Sequence, residues 1–105
     1  MYIVVFVTAK NLREANKIAD TCVKGKLVAC ANVVKGVSSV FMWDNKMTRE
    51  NEVLVMMKSQ KKLFKRIMAT IKEIHSYDVP EIIAIPIADG NLEYLNWIRQ
   101  STKIM

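Results

Sequence analysis

The residues best suited to chemistry in this chain are one histidine, two cysteines and a few acidic side chains. His75 and Glu81 flank the loop 76–80, and Cys30 lies upstream in a strand-like stretch. Copper and zinc favour imidazole and thiolate ligands, and usually several of them. A single imidazole therefore predicts a weak site for copper or another divalent cation, formed by His75 with Glu81, Cys30 or groups of a neighbouring subunit.

Each of these residues also has a structural interpretation. His75 ends a predicted helix, where a basic side chain is common. Cys30 in a strand and Cys22 on the apolar face of a helix are ordinary core thiols. Two cysteines without CxxC spacing indicate neither a structural zinc site nor a disulfide framework, which predicts a reduced, cytoplasmic protein.

Four further side chains are candidates for lining a ligand cleft. Tyr77 belongs to the same loop as His75. Glu52 and Lys58 lie on the second arm of a predicted hairpin, where they either line a cleft or flank the sheet. Trp43 lies beside the hairpin turn, so we expect it to anchor on a neighbouring subunit more than to contact a ligand.

The sequence contains no arrangement typical of an enzyme. It has no nucleophile paired with a base, no Gly-rich phosphate loop among its three glycines and no carboxylate pair at a telling spacing. The formal charge of +6 allows a nucleic-acid partner. Much of that charge lies between Lys61 and Lys72 on one helix. Such a group of basic residues is more commonly the solvent-exposed side of an amphipathic helix than a binding surface. A ferredoxin-like fold with positive charge is also found in RNA-recognition motifs, but residues 54–56 are aliphatic where those domains have aromatic residues that stack on bases. Nucleic-acid binding through the basic helix is therefore only a third option.

A long β-hairpin from Leu27 to Lys58 must position these groups. Its arms, LVACANVVKGVSSVFMW and KMTRENEVLVMMK, flank Asp44 and Asn45, which tolerate the positive φ of a two-residue type I′ turn. Each arm is about twice the usual strand length of ~5–6 residues, so the hairpin should extend beyond the body of the domain. Gly36 predicts a bulge or bend midway along the first arm.

Hydrophobic periodicity and capping residues predict the other elements. They are a strand at Tyr2 to Thr8, a helix capped by Asn11 and Glu14 and ending at a left-handed Gly25, a helix capped by Ser59 and ending near His75, an edge strand at Glu81 to Ile87, and a third helix from Asn91. The order β-α-β-β-α-β plus a C-terminal helix predicts one α+β, ferredoxin-like (split βαβ) domain over residues 1–105.

All four strands are apolar at odd and even positions alike, as in VLVMM at 53–57 and IIAIPI at 82–87. The predicted topology covers one face of the sheet with two helices, and the third helix is too short to cover the other face. Because a large exposed apolar face is rare on a monomer, we expect a homo-oligomer packed sheet against sheet. No apolar run approaches the ~20 residues of a membrane span, so no membrane partner is expected.

Four stretches, LVACANVV at 27–34, WDNK at 43–46, HSYDVPEII at 75–83 and GNLEYLNWI at 90–98, resemble the CutA divalent-cation-tolerance proteins in order and spacing. The resemblance implies a cytosolic homotrimer of ferredoxin-like subunits with clefts between them, and a link to tolerance of copper and other divalent metals. It also implies a likeness to the trimeric PII signalling proteins. The alternative function is therefore a PII-like sensor that binds a small anionic ligand in the inter-subunit cleft.

The chain departs from the family pattern at several positions. The family usually has Gly where Asn45 stands and Pro where Ser76 stands. A copper-associated bacterial relative is similar to this chain but has Cys in place of Val7 and a further His in place of Ile74. Of the Cys and two His residues of that relative, this chain has only the histidine at position 75. The resemblance therefore implies weak metal affinity.

Overall fold

A computed structural model describes residues 1–102 of the chain. The elements are β1 (Tyr2–Ala9), α1 (Leu12–Lys24), β2 (Cys30–Trp43), β3 (Lys46–Gln60), a 3-10 turn (Lys61–Leu63), α2 (Phe64–Ile74), β4 (Ile82–Pro86) and α3 (Leu92–Ser101). The strands form one antiparallel sheet in the order β2-β3-β1-β4. The predicted α+β, ferredoxin-like fold is confirmed, and β4, which contains Pro86, is an edge strand as expected.

The long hairpin has the predicted turn and bulge. Asp44 and Asn45 have φ angles of 50° and 62°, as a type I′ turn requires. Gly36 has a φ of 78°, and the β2–β3 register shifts between Val34 and Val37. The strands β2 and β3 contain 14 and 15 residues, whereas β1 contains 8.

This difference in length leaves the outer half of the hairpin unsupported by the rest of the sheet. The strand β1 pairs with β3 only between Val53 and Gln60, so residues 46–52 have β2 as their only neighbour in the sheet. At about 3.3 Å per residue the overhang is ~23 Å long. It gives the subunit its elongated shape of 45 × 27 × 21 Å.

The hydrophobic core lies between one face of the sheet and the helices α1 and α2. Odd-numbered residues of β1 and β3, such as Val5 and Val55, pack against Ile18, Ile67 and Ile71. Cys22 is fully buried among them, as predicted, and burial raises the pKa of its thiol to about 11. Among residues 1–102, no helix is long and apolar enough to cross a membrane.

The predicted end of α1 at Gly25 is confirmed, but the left-handed conformation predicted there and the predicted cap of α2 are wrong for identifiable reasons. The left-handed residue after α1 is Lys26, with a φ of 57°, whereas Gly25 has a φ of −78°. The N–H groups of Lys26 and Leu27 donate to the last helical carbonyls, which is a Schellman ending and delays the start of β2 from Leu27 to Cys30. Ser59 does not cap α2; it belongs to β3, and its Oγ donates to the Leu27 carbonyl at 2.6 Å.

The second face of the sheet is apolar and only partly covered. Val4, Phe6 and Met56 are half-buried there, and Ile83 and Ile85 are 47% and 44% exposed. The helix α3 contacts β3 and covers part of this face. The expectation that two helices and a short third one leave apolar sheet uncovered is therefore confirmed for the single subunit.

The bulge supplies a test of backbone geometry. A Cβ at Gly36 would meet nothing within 4 Å, so Gly36→Ala isolates the cost of positive φ. We expect a loss of about 1–2 kcal/mol in the free energy of unfolding, measured by denaturant titration. The control is Gly90→Ala, where the added Cβ makes ordinary contact with Leu95. Equal losses in the two variants would contradict the assignment of strain to the bulge.

Candidate functional site

The overhanging hairpin forms one wall of a cleft of about 700 Å³. The opposite wall is the loop after α2, and the floor is the end of β1. The lining residues are Thr8, Lys10, Phe41, Trp43, Thr48, Glu50, Glu52, Tyr77, Asp78, Val79 and Glu81. Four predicted site residues, Trp43, Glu52, Tyr77 and Glu81, therefore come together in this cleft.

The lining is strongly acidic. Glu50, Glu52, Asp78 and Glu81 contribute carboxylates, and Lys10 is the only basic residue among the lining residues. Sequence reasoning missed Glu50, Asp78 and Lys10. Glu50 and Glu52 alternate along β3 and so lie on one face, a signal that could have identified Glu50 once Glu52 was chosen.

Tyr77 connects the loop to the hairpin wall. Its hydroxyl donates to Glu52 Oε2 at 2.9 Å. Burial, the hydrogen bond to Glu52 and the charges of Glu52, Glu14 and Glu50 together raise the pKa of Tyr77 to about 12. The phenol therefore stays protonated near neutral pH and holds the Glu52 carboxylate in the cleft wall.

His75 has a structural role within the subunit. Its side chain is fully buried, Nε2 donates to the Thr8 carbonyl at 2.8 Å, and Nδ1 accepts from the Tyr77 N–H at 3.1 Å. These partners require the neutral imidazole with its proton on Nε2. Because both ring nitrogens are occupied, neither has a free lone pair for the metal that the sequence predicted at His75.

Glu14 of α1 holds the loop 76–80 through a hydrogen bond to its first residue. Its Oε1 accepts from the Lys10 N–H at 3.1 Å, and its Oε2 accepts from the Ser76 N–H at 2.8 Å. The family's usual proline at 76 would lack that N–H. The predicted capping box is half confirmed, because Asn11 Oδ1 accepts from the Glu14 N–H at 2.8 Å whereas the Glu14 carboxylate reaches Lys10 and Ser76.

The electrostatics of Glu14 follow from these contacts. Burial by itself raises the pKa of the carboxyl, but hydrogen bonds from Ser76 and from the Lys10 N–H hold that pKa below its usual value of 4.5. The His75 Nδ1 lies 4.0 Å from Glu14 Oε1. Sequence reasoning assigned Glu14 only to helix capping, because the partner at Ser76 is 62 residues away in the chain.

Cys30 and Lys58 lie away from the cleft. They face each other across β2 and β3, and Lys58 is six residues from Glu52 along β3, about 20 Å at ~3.3 Å per residue. The Cys30 Sγ is 3.4 Å from the Tyr94 hydroxyl, and the Lys58 ammonium donates to Asn32 Oδ1. Within a single chain Lys58 therefore flanks the sheet, which is one of the two positions predicted for it.

The predicted ligand set is not assembled within one subunit. Glu81 lines the cleft, His75 is buried behind it, and Cys30 lies at the other end of the hairpin. Within residues 1–102, no three His, Cys, Asp or Glu side chains are grouped closely enough to hold a metal ion. A complete ligand shell from this chain would need side-chain movement or a second subunit.

The fold and the cleft define a small ferredoxin-like protein with a long hairpin and a carboxylate-lined cleft. The chain belongs to the CutA1 divalent ion tolerance protein family, whose profile matches residues 3–101. The predicted family is thus confirmed, and relatives in it are named divalent-cation tolerance proteins.

Individual relatives agree with this assignment. The divalent-cation tolerance protein CutA of Thermus thermophilus is 38% identical over 99 residues, which are 94% of this chain and 96% of the relative. Its solved structure has a TM-score of 0.96 and 38% identity, with 98% of this chain and 100% of the other covered. The chloroplastic CutA 1 of Oryza sativa is 41% identical over 96% of this chain, which spans 57% of that relative's length.

The buried Glu14 carboxylate predicts a pH-dependent stability. We expect Glu14→Gln to lower the free energy of unfolding by about 2 kcal/mol at neutral pH, because an amide cannot accept both N–H groups as a carboxylate does. The folded pKa is lowered, so the stabilisation is present above the unfolded pKa and is lost as the pH falls through the folded one. Urea titrations should show that the difference in unfolding free energy between the wild type and Glu14→Gln is smaller near pH 3 than near pH 7.

The matched control for this prediction is Glu73→Gln, an exposed glutamate at the end of α2. It should change the stability by less than about 0.5 kcal/mol at either pH. A Glu14→Gln effect that is the same at both pH values would show that packing, and not the ionised carboxylate, is the source of the stabilisation.

Proposed function

We propose that this protein is a non-enzymatic homotrimer that binds divalent cations weakly in the acidic cleft. The observation that supports the proposal best is the lining of the cleft, which contains four carboxylates and one lysine. Several carboxylates in one cleft favour a bound cation, because a positive charge offsets the repulsion between them. The family's relation to divalent ions agrees with this chemistry.

The donor set indicates which cations fit. Carboxylate, hydroxyl and carbonyl oxygens suit Mg²⁺, Ca²⁺ and Mn²⁺, whereas copper and zinc favour imidazole and thiolate. Glu52 and Glu81 would be the principal oxygen ligands, with Glu50 and Asp78 nearby. Any copper binding would therefore depend on carboxylates and stay weak, since His75 and Cys30 are engaged elsewhere.

The trimer is supported by apolar surface on the hairpin and the second sheet face. Met42, Trp43 and Met47 at the hairpin tip are 65%, 67% and 75% exposed. Side chains of this size are rarely left in water together, and the overhang places them about 23 Å beyond the rest of the sheet. Packing on a neighbouring subunit would bury both surfaces and close the cleft from its open side.

The PII-like alternative, an anionic ligand in the same cleft, is disfavoured by charge. Lys10 would have to offset the four carboxylates before an anion could bind. The two functions give opposite results with simple probes, because a metal cation and inorganic phosphate carry opposite charges.

We expect sedimentation at micromolar concentration to give three times the 12.0 kDa mass of the chain. Trp43→Ala should weaken the trimer by about 2 kcal/mol or more per site, as truncation of an interface aromatic often does. Val23→Ala is the control, because Val23 is an exposed apolar residue of α1 on the other side of the sheet. A folded wild-type monomer would contradict the proposed assembly.

The cleft itself is tested by calorimetric titration of Mn²⁺ and Cu²⁺ into the wild type and Glu52→Gln/Glu81→Gln. We expect the double variant to bind at least about tenfold more weakly, since it loses two charged oxygen ligands. Glu93→Gln, an exposed glutamate of α3 outside the cleft, should bind as the wild type does. Unchanged affinity in the double variant would place the ions elsewhere, and tight phosphate binding that Lys10→Gln abolishes would favour the anion sensor.

A further inference from the structure

The charges of this chain are divided unequally by the sheet. Nine basic residues are exposed on the helix layer formed by α1, the 3-10 turn, α2 and the residues next to them: Arg13, Lys17, Lys24, Lys26, Lys61, Lys62, Lys65, Arg66 and Lys72. Only Asp20 and Glu73 are exposed acidic residues there. With the buried Glu14 of α1 counted as well, the layer has an excess of six positive charges, which equals the +6 of the whole chain, so the rest of the chain is neutral in total.

The basic residues are concentrated at one end of the layer. The Ser59 Oγ donates to the Leu27 carbonyl at 2.6 Å, which joins the end of α1 to the start of the 3-10 turn. Lys24 and Lys26 at the end of α1 are thereby brought next to Lys61 and Lys62, although they are more than thirty residues apart in sequence. Four exposed lysines therefore belong to two segments that are joined at this edge.

These charges are not neutralised within the subunit. Among residues 1–102, none of the nine basic side chains of the layer forms an ion pair with a carboxylate. The first turns of the 3-10 helix and of α2 contain no acidic residue. The layer therefore presents a positive field that only an external polyanion or salt can offset.

We propose that the basic helix layer binds the phosphate backbone of nucleic acid. From Lys61 to Lys72 the layer extends ~16 Å at 1.5 Å per residue, comparable with about five base pairs at 3.4 Å each. The outer face carries no exposed aromatic residue that could stack on a base, so the contacts are to phosphates and carry no sequence preference. The layer lies on the side of the sheet opposite the acidic cleft, so cation binding does not compete with it.

A membrane surface fits this layer less well. Helices that lie on a bilayer insert several large apolar side chains beneath their basic residues. Here α2 has no exposed large apolar residue, and α1 has only Leu12 and Val23, at 40% and 41% exposure. The layer therefore has positive charge but few apolar side chains that could insert into a bilayer. This combination suits the hydrated phosphates of a duplex.

The test is fluorescence anisotropy of a short labelled DNA duplex of mixed sequence, titrated with the full-length protein at several salt concentrations. We expect the logarithm of the association constant to fall linearly with the logarithm of salt concentration. Lys61→Gln/Lys62→Gln should weaken binding about tenfold at low salt and lower the magnitude of the slope by about two, one for each phosphate that the variant no longer neutralises.

The matched control is Lys35→Gln/Lys46→Gln, which removes two exposed lysines of the hairpin and changes the net charge equally. It should leave the slope unchanged. Equal losses of affinity in the two variants, or no binding of duplex by the wild type at low salt, would overturn the proposal. So would retention on phosphatidylserine vesicles without binding of duplex, which would assign the layer to membranes. Circular dichroism of each variant verifies that it is folded.

Discussion

The mismatch in length between the hairpin and its neighbour is the constraint on which the rest of this structure depends. The strands β2 and β3 have 14 and 15 residues, but β1 can pair with only the inner 8 residues of β3. The unpaired outer half then has a free face, and its alternating side chains form one wall of the cleft. The same overhang exposes Trp43 and Met47, so the cleft and the exposed apolar tip of the hairpin arise from one cause.

The cleft also depends on a buried polar network behind its second wall. The Glu14 carboxylate and the His75 ring accept three backbone N–H groups between them, from Lys10, Ser76 and Tyr77. Such bonds are worth more in a buried setting, where an unpaired N–H costs ~1–3 kcal/mol. The single histidine of the chain is thus used to fix the loop that carries Tyr77, with both ring nitrogens in hydrogen bonds.

The sheet separates two surfaces of opposite charge. Carboxylates line the cleft on one side, and nine exposed basic residues cover the helix layer on the other. A net charge of +6 conceals this division, because the two contributions partly cancel in the total. The apolar core lies between the acidic cleft and the basic helix layer, so the negative and positive electrostatic fields act on opposite sides of the molecule.

The sequence by itself determined the fold, since apolar periodicity, the Asp44-Asn45 turn and Gly36 are local signals that agree with one another. It also named Trp43, Glu52 and Tyr77 as candidate cleft residues and Glu81 as a candidate metal ligand, and all four line one cleft of the structure. Only the tertiary structure decided the role of His75, the place of Lys58 and Cys30, and the importance of Glu14. The reason is physical: a residue's type states which bonds it can form, but which partner satisfies it depends on chain segments that folding brings together from more than sixty residues away.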